Sequence, residues 1–218
     1  MAIVAGAELW QDLIDSRIVI EPDGQHTELS SGMHGQKVVF GNIEPESGLY
    51  HKWIGTVCDY MQEQYAPLPR ILVSVADGTN RPVTSIVERF GDRMIGLHSQ
   101  KDPRDPERLF LGSTATAVLM RNLNVPVVVK EDTSTTGGKS GQVAKAIRNA
   151  GVRDVSVLTT VQRRDTLEVL DEAEIPYRAI IKAPMPTYTP EDCLRTGFCS
   201  MNWLFKPRKG APYRPLDR

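Results

Sequence analysis

Two adjacent acids, Glu131 and Asp132, end an apolar run and are followed by hydroxyl residues and glycines. Glycine lets a backbone approach a phosphate closely, and amides that open a helix point their N–H groups at the same spot. Carboxylates beside such a loop accept hydrogen bonds from the paired hydroxyls of a sugar. The stretch therefore predicts a site for a phosphorylated sugar, formed by Glu131, Asp132, Thr133, Ser134, Thr135, Thr136, Gly137, Gly138 and Lys139.

The elements around this stretch follow from its hydrophobic pattern. The valines at residues 127–129 indicate a buried strand, and the apolar positions after Lys139 indicate a helix. A second apolar run of strand length spans residues 70–76 and leads into a turn at residues 77–81. Because turns at the carboxyl ends of parallel strands carry ligands, we expect this turn to lie near the same cleft.

A P-loop is a competing interpretation of the same stretch. It requires a glycine, four further residues and then Gly-Lys-Ser or Gly-Lys-Thr, and Thr133 stands where the first glycine belongs. Two carboxylates at the mouth of the loop would also repel a polyphosphate. A nucleotide triphosphatase is therefore disfavoured, and a plain turn before a surface helix leaves the paired acids unexplained.

The apolar strand, the acid pair and the Thr-Thr-Gly-Gly sequence at residues 135–138 resemble the phosphoribosyl diphosphate signature of the type I phosphoribosyltransferases. The resemblance implies transfer of ribose 5-phosphate from phosphoribosyl diphosphate to a nucleobase, with release of pyrophosphate. It also implies Mg²⁺ at Glu131 and Asp132, since a hard cation suits carboxylate oxygens. The family's pyrophosphate turn, which often contains a lysine, corresponds to Ala76, Asp77 and Gly78, with Arg81 as the available cation.

A second set of residues resembles the orotate phosphoribosyltransferases within that family. Their N-terminal hood covers the base with a Lys-Ser-Gly turn followed by aromatic residues, and residues 30–32 here read Ser-Ser-Gly. Their Asp-Arg-x-Glu turn grips the base carboxylate, and residues 162–165 keep its arginine. An ordinary hairpin and a solvent-facing arginine remain open as alternatives. The resemblance implies orotate as the acceptor and base contacts from Ser31, Gly32, Phe40 and Arg163.

A charged segment with two prolines, residues 98–108, follows a predicted strand at residues 92–97. We expect a mobile loop here. In the family the equivalent loop closes over the diphosphate, often from the neighbouring subunit, and the resemblance implies Lys101, Arg104 and Asp132 as catalytic residues, with Arg108 as a further cation. A non-catalytic sensor of phosphoribosyl diphosphate or a nucleotide remains an alternative, because this loop and the turn at Asp77 depart from the family pattern.

Alternating strands and helices predict an α/β fold with a largely parallel sheet flanked by helices and a small N-terminal hood. Helices are expected at residues 7–17 and 47–65, and strands at residues 155–161 and 177–181. We divide the chain into the hood (residues 1–46), an α/β core (residues 47–183) and an irregular tail (residues 184–218). In the hood, short strands are expected at residues 26–29 and 37–40, as a hairpin or a small sheet. The tail is expected to pack through Trp203, Leu204 and Phe205.

Composition narrows the class of protein further. The chain has 218 residues, of which 40% are hydrophobic and 24% charged, and its formal net charge is −1. A net charge this close to zero does not indicate a surface that binds nucleic acid, and no apolar run reaches membrane length. The three cysteines do not form a disulfide framework, so a cytoplasmic protein that acts on small molecules is expected. The family resemblance implies a homodimer.

Overall fold

The computed structural model describes residues 2–20, 27–28 and 34–195. Helices and strands alternate from α2 to β10 except at the hairpin of β6 and β7, which confirms the predicted α/β class. The helices are α1 (Ala2–Asp15), α2 (Gly48–Gln64), α3 (Ala76–Phe90), α4 (Ser113–Met120), α5 (Gly138–Asn149), α6 (Glu168–Glu172) and α7 (Pro190–Arg195). The strands are β1 (Val19–Ile20), β2 (Thr27–Glu28), β3 (His34–Gly35), β4 (Lys37–Val38), β5 (Ile71–Ser74), β6 (Ile95–Asp102), β7 (Asp105–Leu111), β8 (Val127–Ser134), β9 (Val155–Gln162), β10 (Tyr177–Lys182) and β11 (Thr187–Tyr188).

The described residues form a central six-stranded sheet with the order β10-β9-β8-β5-β6-β7. Neighbouring strands from β10 to β6 run parallel, and β7 is antiparallel to β6. The register pairs Ser74 of β5 with Lys130 of β8, and Glu131 of β8 with Thr159 of β9. The carboxyl ends of β5, β8 and β9 therefore meet at one edge of the sheet.

The two faces of the sheet are buried in separate cores, because successive residues of a strand point to opposite sides. Leu72 and Val128 pack on the face that α1, α2 and α3 cover. Val73 and Val129 pack on the other face, against α4, α5 and α6. Burial of both faces explains why β5 is apolar up to Ser74 and why β8 begins with three valines.

Two of the predicted helices illustrate how the sequence sets helix ends. α2 begins behind Ser47, whose Oγ accepts a hydrogen bond from the Tyr50 N–H at 3.1 Å. Such a cap satisfies an amide that has no intrahelical partner. α1 is longer than predicted, since it starts at Ala2, and Leu9 and Leu13 of its apolar face are fully buried. None of the helices in the described part of the chain is long and apolar enough to cross a bilayer.

The segment predicted as a mobile loop at residues 98–108 is part of a hairpin instead. β6 continues through Asp102, whose Oδ1 accepts a hydrogen bond from the Arg104 N–H at 2.9 Å across the turn. Pro103 lies in that turn and Pro106 lies in β7, an edge strand of the sheet, where proline is tolerated. Charge and proline content therefore did not exclude a strand, because an edge hairpin keeps its polar side chains in solvent.

The hood consists of short strands in two small sheets. The strands predicted at residues 26–29 and 37–40, as a hairpin or a small sheet, contain β2 and β4. These two strands do not pair with each other: β2 pairs with β3, and β4 pairs with β1. β11 completes the sheet of β2 and β3, so the start of the tail is regular and belongs to the hood. The predicted contacts of Trp203, Leu204 and Phe205 lie outside the described residues.

Candidate active site

The loop between β8 and α5 turns at Gly137. Its φ of +79° lies in the left-handed region, and a Cβ at this position would stand 2.5 Å from Leu170 Cγ. Glycine meets both constraints because it has no side chain. α5 begins at Gly138, and within the described structure its N-cap makes no side-chain hydrogen bond. The amides of its first turn are therefore available to an anion.

A cleft of about 560 Å³ opens over this loop. The structure brings together at it Glu131, the predicted loop at residues 133–139, and Arg163. Sequence reasoning did not include the other lining residues, which come from the hood, the hairpin, α5 and the end of β9: Lys37, Val38, Glu107, Gln142, Arg164 and Thr187.

Glu131 presents a carboxylate with unused hydrogen-bonding capacity to the cleft. Its Oε2 is buried and lacks a partner among the described residues, as do Thr133 Oγ1 and Ser134 Oγ. Burial raises the pKa of Glu131, while the hydroxyls of Ser140 and Ser134 and the ammonium of Lys130 oppose the shift. Buried polar atoms require partners, so this part of the cleft suits a ligand with hydroxyl groups.

Asp132 projects from the opposite side of β8 to Glu131. Its Oδ1 lies 3.8 Å from Lys130 Nζ, and a Cβ on Gly78 would stand 3.7 Å from its Oδ2. Burial raises the pKa of Asp132 to about 7, because the attraction of Lys130 offsets the loss of solvent incompletely and Glu131 adds repulsion. The acid pair is thus divided: Glu131 lines the cleft, and Asp132 lies between Lys130 and the first turn of α3.

Lys130 is fully buried inside the sheet. Its Nζ donates to the Glu131 carbonyl at 2.6 Å and to Thr160 Oγ1 at 2.8 Å. Thr160 Oγ1 also accepts a hydrogen bond from Trp53 Nε1 at 3.1 Å. Burial lowers the pKa of Lys130 to about 8. Sequence reasoning did not single out this residue, although a lysine in the apolar run at residues 127–130 was the available signal.

The turn predicted at residues 77–81 is the beginning of α3. The helix starts at Ala76, whose φ of +51° makes the change of direction in one residue and whose N–H donates to Ser99 Oγ at 2.8 Å. Gly78 faces Asp132, and the side chain of Asp77 lies outside the described part of the structure. The end of β5 therefore offers helix amides rather than an open turn.

Arg81 does not extend into the cleft beside the acid pair. It lines a separate depression of about 340 Å³ between α2 and α3, together with His51 and Arg89. Arg81 is one turn into α3, and its side chain is exposed on the outer face of the helix. The structure therefore does not place Arg81 beside the acid pair, and its role in place of the family's lysine stays a hypothesis.

Arg163 follows β9 directly and is 6% exposed. One of its terminal nitrogens donates to the Gln36 carbonyl at 2.6 Å, which ties the core to the hood. Its Nε is buried and has no partner in the part of the chain that the structure describes. Burial lowers the pKa of Arg163, and the charge of Arg164 adds to the shift. Lys37 of β4 lines the same cleft, so two cations and the hood border it.

Phe40 is buried in the core and does not line the cleft that the described residues form. It is 6% exposed, and its ring centroid lies 4.5 Å from that of Trp53 in α2. In this structure the aromatic ring anchors the hood on α2, and the base contact of Phe40 stays a prediction. Ser31 and Gly32, the other predicted hood contacts, lie outside the described residues.

The β6–β7 hairpin brings an acid to the cleft. Glu107 lines the cleft, and its Oε2 lies 3.6 Å from Lys139 Nζ. The side chain of Gln142 in α5 holds this strand, since its Oε1 accepts from the Leu109 N–H at 2.9 Å and its Nε2 donates to the Glu107 carbonyl at 3.3 Å. The hairpin is therefore packed on the helix that begins at the phosphate loop.

Lys101 and Arg104 stand on the same hairpin but outside the cleft, as the described residues form it. Lys101 is partly buried within β6, and Arg104 is exposed in the turn. The structure thus does not bring these two cations to the loop or the acid pair of their own chain.

The acid pair fits a shared metal ion better than a metal held by protein alone. The described residues contain no group of three or more acids, histidines and cysteines that could hold a metal ion. Glu131 Oε2 and Asp132 Oδ1 are nevertheless buried oxygens that lack hydrogen-bond partners within those residues. Mg²⁺ takes oxygen ligands and is commonly bound by one or two carboxylates together with substrate phosphates. Because the two side chains leave β8 on opposite sides, each carboxylate by itself suits Mg²⁺ that is shared with a phosphorylated ligand.

Solved structures that this chain resembles are phosphoribosyltransferases. Orotate phosphoribosyltransferase from Aeropyrum pernix has a TM-score of 0.58 at 16% identity, over 89% of this chain and 99% of that one. Mycobacterium tuberculosis orotate phosphoribosyltransferase in complex with phosphoribosyl diphosphate has a TM-score of 0.57 at 21% identity, over 82% and 96%. Adenine phosphoribosyltransferase from Rhodothermus marinus has a TM-score of 0.53 at 14% identity, over 81% and 99%. The chain has the type I phosphoribosyltransferase fold.

Sequence similarity narrows the resemblance to one branch of that fold. Orotate phosphoribosyltransferases from two Rhodopseudomonas palustris strains match it, BisB5 at 40% identity over 57 residues and BisB18 at 41% over 58. Each match covers 26% of this chain, and the chain spans 30% and 31% of the two relatives' lengths. No family model matches the chain. The comparisons confirm the resemblance to type I phosphoribosyltransferases that the motif at residues 131–140 indicated. They also confirm the resemblance to the orotate enzymes that the hood turn and Arg163 indicated.

Proposed function

We propose that this protein transfers ribose 5-phosphate from phosphoribosyl diphosphate to a nucleobase and releases pyrophosphate. One observation carries the proposal: the open amides after Gly137 and the unpartnered carboxylate oxygen of Glu131 face one cleft. An anion at the amides and hydroxyls at the acid match the two ends of a ribose 5-phosphate. The M. tuberculosis protein with this fold was solved with phosphoribosyl diphosphate, which supports the assignment.

The acids and the start of α3 would hold the rest of this substrate. Glu131 and Asp132 accept hydrogen bonds from the ribose hydroxyls, and the amides that follow Ala76 face the leaving diphosphate. Glu131 and Asp132 are also the residues that would hold Mg²⁺, which when bound would neutralise charge on the diphosphate. Gly78 supports this arrangement because its missing side chain leaves Asp132 Oδ2 open toward α3.

The reaction forms one bond and breaks another at the same ribose carbon. A ring nitrogen of the base bonds to the anomeric carbon, and the bond from that carbon to the diphosphate oxygen breaks, with its electron pair leaving on pyrophosphate. The protein's contribution is to hold the phosphate and both hydroxyls still while the anomeric carbon moves between the two groups. Because the amides and carboxylates are already held in place, they need little reorganisation as positive charge develops on the sugar ring.

Orotate is the acceptor that the cleft favours. The base would lie between the acid pair and the hood, where Arg163 is buried with an unpartnered Nε among the described residues. A guanidinium binds a carboxylate through paired donors, and a second cation, Lys37, borders the same cleft. Both features support a base that carries a carboxylate group.

The hairpin would act in the cleft of a second copy of the chain. Lys101 and Arg104 lie outside the cleft of their own chain, as far as the described residues define it. A homodimer that exchanges hairpins would place these cations against the leaving diphosphate. Cations at that position stabilise charge that develops as pyrophosphate departs.

A sensor that binds phosphoribosyl diphosphate without turning it over is the second candidate. Glu107 favours it, because this acid borders the anion site at 3.6 Å from Lys139. Asp77 also favours it, since it replaces a cation at the diphosphate turn. Both features weaken the binding of negative charge without altering the fold.

One experiment separates the two candidates. The protein is mixed with phosphoribosyl diphosphate, Mg²⁺ and each nucleobase in turn, and pyrophosphate release is measured. Release that depends on one base supports the transferase. Binding of phosphoribosyl diphosphate with no release for any base supports the sensor, and absence of binding rejects both.

A further inference from the structure

Lys130 is the buried charge that the proposed chemistry leaves without a role. Its side chain is fully buried, and removing a charge from water is costly unless other groups compensate it. Its polar partners are the Glu131 carbonyl, Thr160 Oγ1 and, at 3.8 Å, Asp132 Oδ1. The ring centroid of Trp53 also lies 5.9 Å from its Nζ.

We propose that Lys130 is a positioning residue that holds the Asp132 carboxylate in place for the ribose hydroxyls. This proposal rests on the proposed function, in which the acid pair binds the ribose. Lys130 would touch neither the substrate nor the reacting atoms, and its effect would pass through Asp132.

Hydrogen bonds hold the Lys130 ammonium in a fixed position. An ammonium has three N–H donors, and two of them are used by the Glu131 carbonyl at 2.6 Å and Thr160 Oγ1 at 2.8 Å. Thr160 Oγ1 is itself held by Trp53 Nε1 at 3.1 Å. The third donor remains for Asp132, whose side chain leaves β8 on the same face because it is two residues further along the strand.

Removal of the ammonium should displace Asp132. Within the described residues Lys130 is the ion-pair partner that the structure gives to Asp132, whose Oδ1 has no hydrogen bond. Asp132 also follows another acid, Glu131, so without the cation two carboxylates would repel each other in a partly buried place. Asp132 would then turn toward solvent, and an acceptor for the ribose hydroxyls would be lost.

A pair of small ligands tests the proposal. Inorganic phosphate needs the loop at residues 133–139 alone, whereas ribose 5-phosphate also needs the acids. In Lys130→Met, titration calorimetry should show ribose 5-phosphate binding at least about tenfold weaker, with phosphate binding unchanged. Lys52→Met, which removes an exposed lysine from the surface of α2, is the matched control and should change neither affinity.

A double-mutant cycle tests whether Lys130 acts through Asp132. In an Asp132→Asn background, Lys130→Met should cause no further loss of ribose 5-phosphate affinity, because the acid that it positions has lost its charge. Circular dichroism confirms the fold of each variant, and Lys130→Gln replaces Lys130→Met if the latter fails to fold. The proposal would be overturned if Lys130→Met weakened the binding of both ligands equally or of neither. Additive losses of ribose 5-phosphate affinity in the cycle would also overturn it.

The outcome of this test does not depend on whether the protein transfers ribose 5-phosphate to a base. If the parent protein binds ribose 5-phosphate but releases no pyrophosphate with any nucleobase, the transferase is rejected while the two-ligand comparison still decides the role of Lys130. If the parent protein turns over and Lys130→Met binds ribose 5-phosphate normally, the role of Lys130 is rejected and the transferase stands.

Discussion

Glu107 Oε2 stands 3.6 Å from Lys139 Nζ, so the hairpin places a carboxylate at the edge of a loop suited to phosphate. The two side chains are 78% and 43% exposed, and a pair this open to solvent contributes little to stability. Its effect on a ligand is different, because a bound phosphate would have to share Lys139 with an acid already in contact with it.

Removal of this acid should strengthen anion binding. Glu107→Gln is expected to bind inorganic phosphate about two- to fivefold more tightly, and the gain should shrink as salt screens the charge. Calorimetry at low and high salt measures both effects, with the exposed Glu172→Gln as the control. Weaker phosphate binding in Glu107→Gln would show that the acid supports the loop rather than competing with the ligand.

Asp132→Asn should weaken the binding of phosphoribosyl diphosphate. Loss of one charged acceptor for a ribose hydroxyl costs roughly 1.5–3 kcal/mol, or about ten- to a hundredfold in affinity. Calorimetry gives the dissociation constants, and Asp154→Asn, at an exposed position before β9, is the control. An unchanged affinity would remove Asp132 from the site.

Arg163→Ala should weaken the binding of orotate far more than it weakens the binding of phosphoribosyl diphosphate. The guanidinium is expected to contact the base carboxylate, which the sugar phosphate lacks. Separate titrations with the two ligands measure the difference, and Arg153→Ala removes an exposed arginine as a control. Equal losses would indicate that Arg163 matters for the bond between hood and core, through Gln36, and not for the choice of base.

Lys101→Ala should lower kcat more than it weakens substrate binding. A cation against the departing pyrophosphate acts mainly in the transition state, and its loss costs on the order of 3 kcal/mol, about a hundredfold in rate. If the hairpin acts in a second copy, mixing Lys101→Ala with Asp132→Asn should recover activity, because some mixed dimers contain one intact site. If the Lys101→Ala variant is as fast as the parent protein, Lys101 does not act at the leaving group.

The stability of the protein should fall as the pH rises from about 4 to about 7 because of Asp132. Burial raises the pKa of Asp132 from 3.8 to about 7, so between these values the folded state binds more protons at this carboxyl than the unfolded state does. Urea unfolding at several pH values measures the slope, and Asp132→Asn should flatten it. An identical slope in the variant would show that the carboxyl ionises freely in the folded protein.

The parts of the site that the sequence predicts are those formed by neighbours in the chain. Glu131 and the loop at residues 133–139 form one strand, turn and helix start, so their types and order were enough to indicate an anion site beside carboxylates. The role of Lys130 depends on Thr160 and Trp53, which come from β9 and α2. Local sequence contains no information about such partners.

Other features that the sequence did not predict have the same origin. The packing of Phe40 is decided by Trp53, which lies in another element. The hairpin was predicted as a loop, because its charged residues conceal the alternation of a strand that is exposed at the sheet edge. Glu107 reaches the cleft through the contact of that hairpin with Gln142 of α5, which nothing in the charged segment indicates.

The hydrogen bond between the Leu109 N–H and the side chain of Gln142 makes the Leu109 backbone amide a natural spectroscopic probe. The Leu109 N–H donates to Gln142 Oε1 at 2.9 Å, so a single backbone amide of the edge strand reports on the helix that begins at the phosphate loop. An anion that shifts the start of α5 should change the nuclear magnetic resonance frequency of that amide and its rate of hydrogen exchange. Binding of an anion at the phosphate loop can then be followed through the Leu109 amide of the hairpin, without a label on the anion.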